Sequence, residues 1–108
     1  MISHLALVPR RFAAGRRSTG GTFRYTVSEK AAVKFRILVR ARGRYVPVAS
    51  FTQRVAAGRN ARRYRGMIGA ERLGPGAYRA EIVATDSASN DSRPLKVTFT
   101  ILRRDRVG

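Results

Sequence analysis

The strongest constraint on the fold is a two-residue alternation of apolar and polar side chains in four segments of the chain. Successive side chains of a β-strand point to opposite faces, so each segment has one buried and one solvated face. This pattern is typical of antiparallel sheets that are packed on one side only. The positions that it predicts for the inner faces are Phe23, Tyr25, Val27, Val33, Phe35, Ile37, Val39, Tyr78, Ala80, Ile82, Val97, Phe99 and Ile101.

Turn-forming residues separate these segments, and no helical period is sustained over ten residues. We expect seven or eight strands, one of them near residues 5–8, and a mobile loop over residues 13–21 between the first two strands. Pro47 cannot donate to a strand ladder, so its strand is predicted to lie at a sheet edge. Short strands at this spacing without helices favour a β-sandwich or a small barrel. Residues 1–102 are predicted to form one domain, followed by a basic tail or linker over 103–108.

The run Leu73-Gly74-Pro75-Gly76-Ala77-Tyr78 places a tyrosine directly after a tight Pro-Gly turn. In Greek-key sandwiches a tyrosine near such a corner packs its ring into the core, and its hydroxyl hydrogen-bonds to the backbone upstream. We therefore predict a tyrosine corner built from Leu73, Pro75, Gly76 and Tyr78.

The chain of 108 residues is strongly basic, with 23 Lys and Arg against 6 Asp and Glu and a net charge of +17. Such a charge attracts polyanions, including nucleic acid, anionic glycans, wall polymers and lipid headgroups. An excess of Arg over Lys also arises from a GC-rich genome, and the sequence leaves open whether the charge is functional or compositional. The absence of Cys excludes disulfides and thiolate chemistry.

No apolar run reaches the roughly 18–20 residues of a membrane-spanning helix. The apolar start of the chain is followed, not preceded, by Arg10 and Arg11, which is the wrong order for a signal peptide. We therefore expect no export by this N-terminus alone, although the chain could be one part of a longer exported protein.

No set of residues predicts catalysis or a cofactor. His4 is the only histidine, the acidic residues are scattered, and neither a Gly-x-Ser-x-Gly elbow nor a phosphate-binding loop is present. We expect a non-enzymatic protein without a cofactor or a metal. Asp86, Asn90 and Asp91 are the only candidate calcium ligands, and three residues of one loop fall short of the roughly six to eight oxygens that calcium takes. Turn capping by these side chains is the competing interpretation.

Two basic stretches are candidate polyanion-binding surfaces. Side chains two apart on a strand share a face, so Lys34, Arg36 and Arg40 are expected to form one cationic stripe, and Arg63 and Arg65 another. The full candidate set is Lys34, Arg36, Arg40, Arg42, Arg44, Arg62, Arg63 and Arg65. The sequence does not decide whether the stripes lie on one sheet. Tyr45 and Tyr64 are flanked by these arginines and are the aromatic side chains most suited to stacking on a ligand.

Residues 58–92 carry the pattern Gly58-x-Asn60…Tyr64-x-Gly66-x-x-Gly69…Leu73-x-Pro75-Gly76-x-Tyr78…Ala84-x-Asp86…Asn90-x-Ser92. This pattern resembles the Ig-like and fibronectin type III-like modules of bacterial surface proteins. It is similar to the Ig-like domain of flagellar hook-capping proteins and to modules of actinobacterial exported proteins. The resemblance implies an all-β, antiparallel Ig-like or fibronectin type III-like sandwich. It also implies an extracellular or cell-surface location as one module of a longer chain.

The function expected from these observations is that of a non-catalytic structural or adhesive module of an exported bacterial protein. Its partners would be neighbouring domains and an anionic wall polymer or glycan. The alternative is a β-domain that binds nucleic acid or an anionic glycan through its Arg-rich surface. The fold alone does not choose between them, since this architecture hosts unrelated activities.

Overall fold

The computed structural model describes residues 2–103, in which ten strands and no helix are present. The strands are β1 (Ile2–Val8), β2 (Arg11–Ala13), β3 (Gly21–Val27), β4 (Ala31–Ala41), β5 (Arg44–Val55), β6 (Gly58–Tyr64), β7 (Met67–Ile68), β8 (Glu71–Arg72), β9 (Gly76–Asp86) and β10 (Leu95–Leu102). None of the described residues belongs to a helix that could cross a membrane. Apart from Arg103, the predicted tail lies outside the described residues.

The strands form two main sheets and a small hairpin. The smaller sheet has the order β1-β3-β6, the larger has the order β2-β10-β9-β4-β5, and β7 pairs with β8 alone. The expected strand count of seven or eight is exceeded because Pro9 and Arg10 divide the N-terminal segment into β1 and β2, and because β7 and β8 are only two residues long.

The core lies between the two main sheets. Phe23 of the smaller sheet meets Phe35 of the larger sheet, with ring centroids 5.2 Å apart, and Tyr25 meets the same ring edge-on at 5.8 Å. One continuous cluster of buried apolar side chains spans both inner faces. The fold is therefore all-β and sandwich-like, and most of the side chains that the alternation assigns to the inner faces belong to this cluster.

Three positions differ from the predicted inner and outer faces. Val39 and Val97 are only partly buried, although both pack against the core. Leu38 alternates with the inner-face residues of β4, which predicts a solvated outer-face position, but it is only 4% exposed and lies outside the core cluster. Its neighbours in register are Pro47 and Arg79. An apolar side chain is therefore buried on the outer face of the larger sheet.

The larger sheet is mixed, not purely antiparallel as predicted. β2 pairs with β10 in parallel, with Phe12 opposite Ile101, whereas the other pairs of this sheet are antiparallel. The chain crosses from the edge of the smaller sheet to the edge of the larger one between β1 and β2 without a reversing turn. This crossing places Phe12 against the core, where its ring stacks on Phe99 at 5.8 Å.

β4 and β5 form a long hairpin that ends in Arg42 and Gly43. Both residues have positive φ, 52° and 76° respectively, as a two-residue type I′ turn requires. β5 is the last strand of its sheet, so the edge position predicted from Pro47 is confirmed. The register of β5 shifts between its pairings with Ile37 and Leu38, which is the position of a bulge beside Pro47.

Tyr78 lies at the start of β9 and is 4% exposed. Its hydroxyl donates a hydrogen bond to the backbone carbonyl of Gly74 at 2.6 Å, and its ring stacks on Phe99 at 5.5 Å. Leu73 is buried in the core cluster, whereas Pro75 and Gly76 are exposed in the turn. The hydrogen bond of the Tyr78 hydroxyl therefore links the start of β9 to the turn that precedes it.

We expect Tyr78→Phe to lower the free energy of unfolding by about 1 kcal/mol, because it removes this hydrogen bond and keeps the ring. Chemical denaturation of the purified domain measures the change. Tyr64→Phe is the matched control, since the Tyr64 hydroxyl donates to the carbonyl of Met67 over a longer 3.4 Å. A loss for Tyr78→Phe no larger than that for Tyr64→Phe would contradict a corner function of Tyr78.

Candidate polyanion interface

The outer face of the larger sheet brings cationic side chains of distant segments together. On β4, the buried Val33, Phe35 and Ile37 alternate with residues of the opposite side. Lys34, Arg36 and Arg40 therefore share the outer face, as predicted. We call this surface the cationic face; its basic members are Arg10, Lys34, Arg36, Arg40, Arg54, Arg79 and Lys96.

The order of the strands in the sheet, and not closeness along the chain, brings the residues of this surface together. Arg36 lies opposite Glu81 of β9, and Glu81 lies opposite Lys96 of β10. These residues are far apart in the chain and become neighbours because β9 inserts between β4 and β10. Because Arg79 alternates with the inner-face residues of β9, it is predicted to lie on an outer face. No pattern in the sequence indicates that this face is shared with Lys34 and Arg36.

Arg79 is held in one orientation near the centre of the cationic face. Its Nη2 donates to Glu81 at 2.7 Å, and its guanidinium lies 4.2 Å from the centroid of the Tyr45 ring. Glu81 also approaches Arg36 at 3.7 Å. A single carboxylate thus lies between two guanidinium groups. Its one negative charge balances only one of the two positive charges, so the other stays uncompensated.

Arg10 extends the cationic face over β10. Its Nε donates to the backbone carbonyl of Thr98 at 2.8 Å, and its Nη2 donates to the hydroxyl of the same residue. Because two hydrogen bonds fix this side chain, less rotamer entropy is lost when its remaining N–H groups bind an anion.

The other predicted residues do not all join this face. Arg42 and Arg44 lie at the exposed end of the β4–β5 hairpin. Arg62 lies over the Phe51 ring at 5.0 Å, on the same side of β6 as the buried Tyr64. Arg63 points to the opposite side, which is the outer face of the smaller sheet. The two predicted stripes therefore belong to different sheets.

The aromatic side chains are not available as a stacking surface. Tyr64 is 6% exposed and belongs to the core. Tyr45 is half-buried, and the Arg79 guanidinium covers its ring. Phe51 is covered in the same way by Arg62. The exposed surface of the cationic face therefore offers charge and hydrogen-bond donors, with few free aromatic faces.

The Asp86 carboxylate closes its own turn. Its Oδ1 accepts hydrogen bonds from the backbone N–H groups of Ala88 and Asn90, both at 2.9 Å. These bonds, with that from Asn90 first, lower the pKa of Asp86. Asp91 accepts a separate bond from the hydroxyl of Thr85. Within residues 2–103 no group of three or more acidic, His or Cys side chains is placed to hold a metal ion.

His4 is exposed on β1, and its Nδ1 lies 3.0 Å from the hydroxyl oxygen of Ser3. Among the described residues no carboxylate approaches the imidazole closely enough to orient it. A neighbouring Ser and His without an orienting acid do not make a nucleophile–base–orienter set.

Burial raises the pKa of the Tyr25, Tyr64 and Tyr78 phenols above the ordinary value of 10.0, and the Arg62 guanidinium partly opposes this at Tyr25. The unfolded chain therefore ionises these phenols at a lower pH than the folded one. Their contribution to stability is complete below about pH 10 and is lost as the pH rises above it.

We expect the free energy of unfolding to fall between about pH 10 and about pH 11.5, and little between about pH 8 and about pH 10. Denaturant titrations at each pH, followed together with the ultraviolet absorbance of tyrosinate, measure this. Ionisation of all the tyrosines near pH 10 in the folded state, with unchanged stability, would contradict the prediction.

The sequence matches no protein-family model, and no significant relative is found among the curated proteins. The assignment of a function therefore depends on the geometry and charge of the described residues.

Proposed function

We propose that this chain is a non-catalytic adhesive module that binds an anionic polymer through the cationic face of its larger sheet. The observation that carries the proposal is the convergence of basic side chains from β4, β5, β9, β10 and the β1–β2 crossing on one side of one sheet. A flat surface of this kind follows an extended chain of negative charges better than it encloses a small molecule.

We further propose that the sandwich has an Ig-like or fibronectin type III-like topology. Three observations support this: the order β1-β3-β6 facing β2-β10-β9-β4-β5, the crossing of the first strand from one sheet to the other, and the Tyr78 hydrogen bond at the start of β9. The resemblance of residues 58–92 to bacterial surface modules favours a place in an exported or cell-surface bacterial protein. The module would there space or dock neighbouring domains.

An anionic wall polymer or glycan fits the cationic face better than single-stranded nucleic acid does. Proteins that bind single strands stack successive bases on exposed aromatic rings, with about 1–3 kcal/mol from each base. On this face Arg79 already covers the Tyr45 ring, and the core holds most of the other aromatic rings. Binding would then depend on charge and on Arg and Lys hydrogen bonds, which sulfate, phosphate and carboxylate groups accept.

The proposal predicts that charge position matters, not only charge number. We expect Lys34→Gln/Arg36→Gln/Arg40→Gln to weaken binding to heparin by at least about tenfold, because three contacts are lost. The matched control is Arg24→Gln/Arg59→Gln/Arg63→Gln, which removes the same charge from the outer face of the smaller sheet. Affinity measured by isothermal titration should change by less than about threefold for this control. Equal losses in both variants would contradict the proposal.

A further inference from the structure

A second cationic surface lies at the end of the molecule that carries β7 and β8. It is a cleft of about 820 Å³ between β2, the loop that follows β2, and the β7–β8 hairpin. Four arginines from these three segments line it: Arg11, Arg16, Arg17 and Arg72. Among residues 2–103 no acidic side chain lines the cleft, and the ion pairs found there both involve Glu81 on the cationic face.

Hydrogen bonds fix the loop that carries Arg16 and Arg17. The Ser18 hydroxyl donates to the carbonyl of Ala13 and accepts the backbone N–H of Gly20. The Ser18 N–H donates to the carbonyl of Gly15, closing a turn around the two arginines. The residues that the sequence predicts as a loop are thus held by their own polar groups.

Arg65 fixes the same loop from outside. Its backbone carbonyl accepts the Gly15 N–H at 3.0 Å, and its Nε donates to the carbonyl of Ser18 at 3.0 Å. The loop is therefore attached at both of its ends to the residue that follows β6. Because the backbone of this loop is already fixed, the loop itself loses little conformational entropy when a ligand binds.

We propose that this cleft binds a compact ligand bearing two or more phosphate groups. Guanidinium groups bind phosphate oxygens through paired, charge-assisted hydrogen bonds. A phosphate monoester carries about −1.5 to −2 charges near pH 7, so two such groups match four arginines, whereas carboxylates would need twice as many. The cleft volume lies within the range of about 300–1,000 Å³ that is usual for small-molecule sites.

This site is independent of the cationic face, so each can fail without the other. The probe is tripolyphosphate, titrated calorimetrically into the wild-type domain, into Arg17→Gln/Arg72→Gln, and into Arg24→Gln/Arg59→Gln, a charge-matched control on the outer face of the smaller sheet. The proposal predicts a loss of at least about tenfold in affinity for the cleft variant and less than about threefold for the control. Unchanged binding by the cleft variant, or equal losses in both variants, would overturn it. All four substituted side chains are exposed. Thermal unfolding of each variant verifies that the fold is retained.

Two further probes define the ligand class. Orthophosphate should bind at least about tenfold more weakly than tripolyphosphate, since it engages fewer of the four arginines. Triglutamate should also bind more weakly, because its charge is spread over a longer and more flexible chain. Triglutamate binding as tight as that of tripolyphosphate would overturn the preference for phosphate. Heparin binding by the cleft variant reports on the cationic face separately.

Discussion

Replacement of Phe35 by alanine should lower the free energy of unfolding by about 3–5 kcal/mol, the range observed when a buried Phe is truncated. Phe35 is fully buried at the centre of the sandwich. Its ring lies 5.2 Å from that of Phe23 and 4.7 Å from that of Phe51. It is therefore the side chain that joins the two sheets most directly. Since domains of this size have roughly 5–15 kcal/mol of stability, much of it would be lost.

Phe51→Ala is the matched control for this prediction. Phe51 stacks on the same ring, but it lies on the edge strand β5 and is only partly buried, under Arg62. We expect its truncation to cost clearly less than that of Phe35, because the site is open to water and leaves a smaller cavity. Urea denaturation monitored by circular dichroism measures both variants. Equal losses would show that Phe35 is not the centre of the core.

Gly20→Ala should lower the free energy of unfolding by about 3 kcal/mol or more, from backbone strain and a steric clash together. Gly20 has a φ of +62°, which L-residues rarely adopt. A Cβ atom there would lie 2.2 Å from the backbone carbonyl oxygen of Tyr64. Because this clash is with the backbone, no side-chain rotation can relieve it. The start of β3 would have to move away from the end of β6.

Gly43→Ala separates the two causes. Gly43 has a comparable φ of +76° at the end of the β4–β5 hairpin, but a Cβ there would meet nothing within 4 Å. We expect a loss of about 1–2 kcal/mol from strain alone. Thermal and urea unfolding of both variants give the comparison. A Gly20→Ala variant no less stable than Gly43→Ala would show that the backbones do not approach as closely as described.

The sequence alone was sufficient for four of the strands and for most of the core, but not for β5, of which only the part around Pro47 was predicted. Alternation predicted the inner faces of β3, β4, β9 and β10 because each of those strands has one buried and one solvent-exposed face. It failed for β2, which is only three residues long and joins its sheet through a parallel pairing with β10. It also failed for Leu38, whose burial depends on neighbours from other strands.

The candidate site was predicted only in part. Lys34, Arg36 and Arg40 are related by spacing along one strand, so the sequence shows that they share a face. Arg10, Arg79 and Lys96 join them through the order of strands in the sheet, which no local pattern contains. For the same reason the sequence could not assign Arg63 to the opposite sheet.

The most direct test of the proposed function is the binding of the purified domain to heparin, duplex DNA and single-stranded DNA over a series of salt concentrations. Each neutralised charge of duplex DNA contributes about 0.9 to the slope of log affinity against log salt, so the slope counts the contacts. The proposal predicts that heparin binding persists at physiological salt and exceeds binding to both nucleic acids. Binding that disappears with salt equally for all three polymers would contradict it, and would show that the net charge of +17 is a property of composition alone.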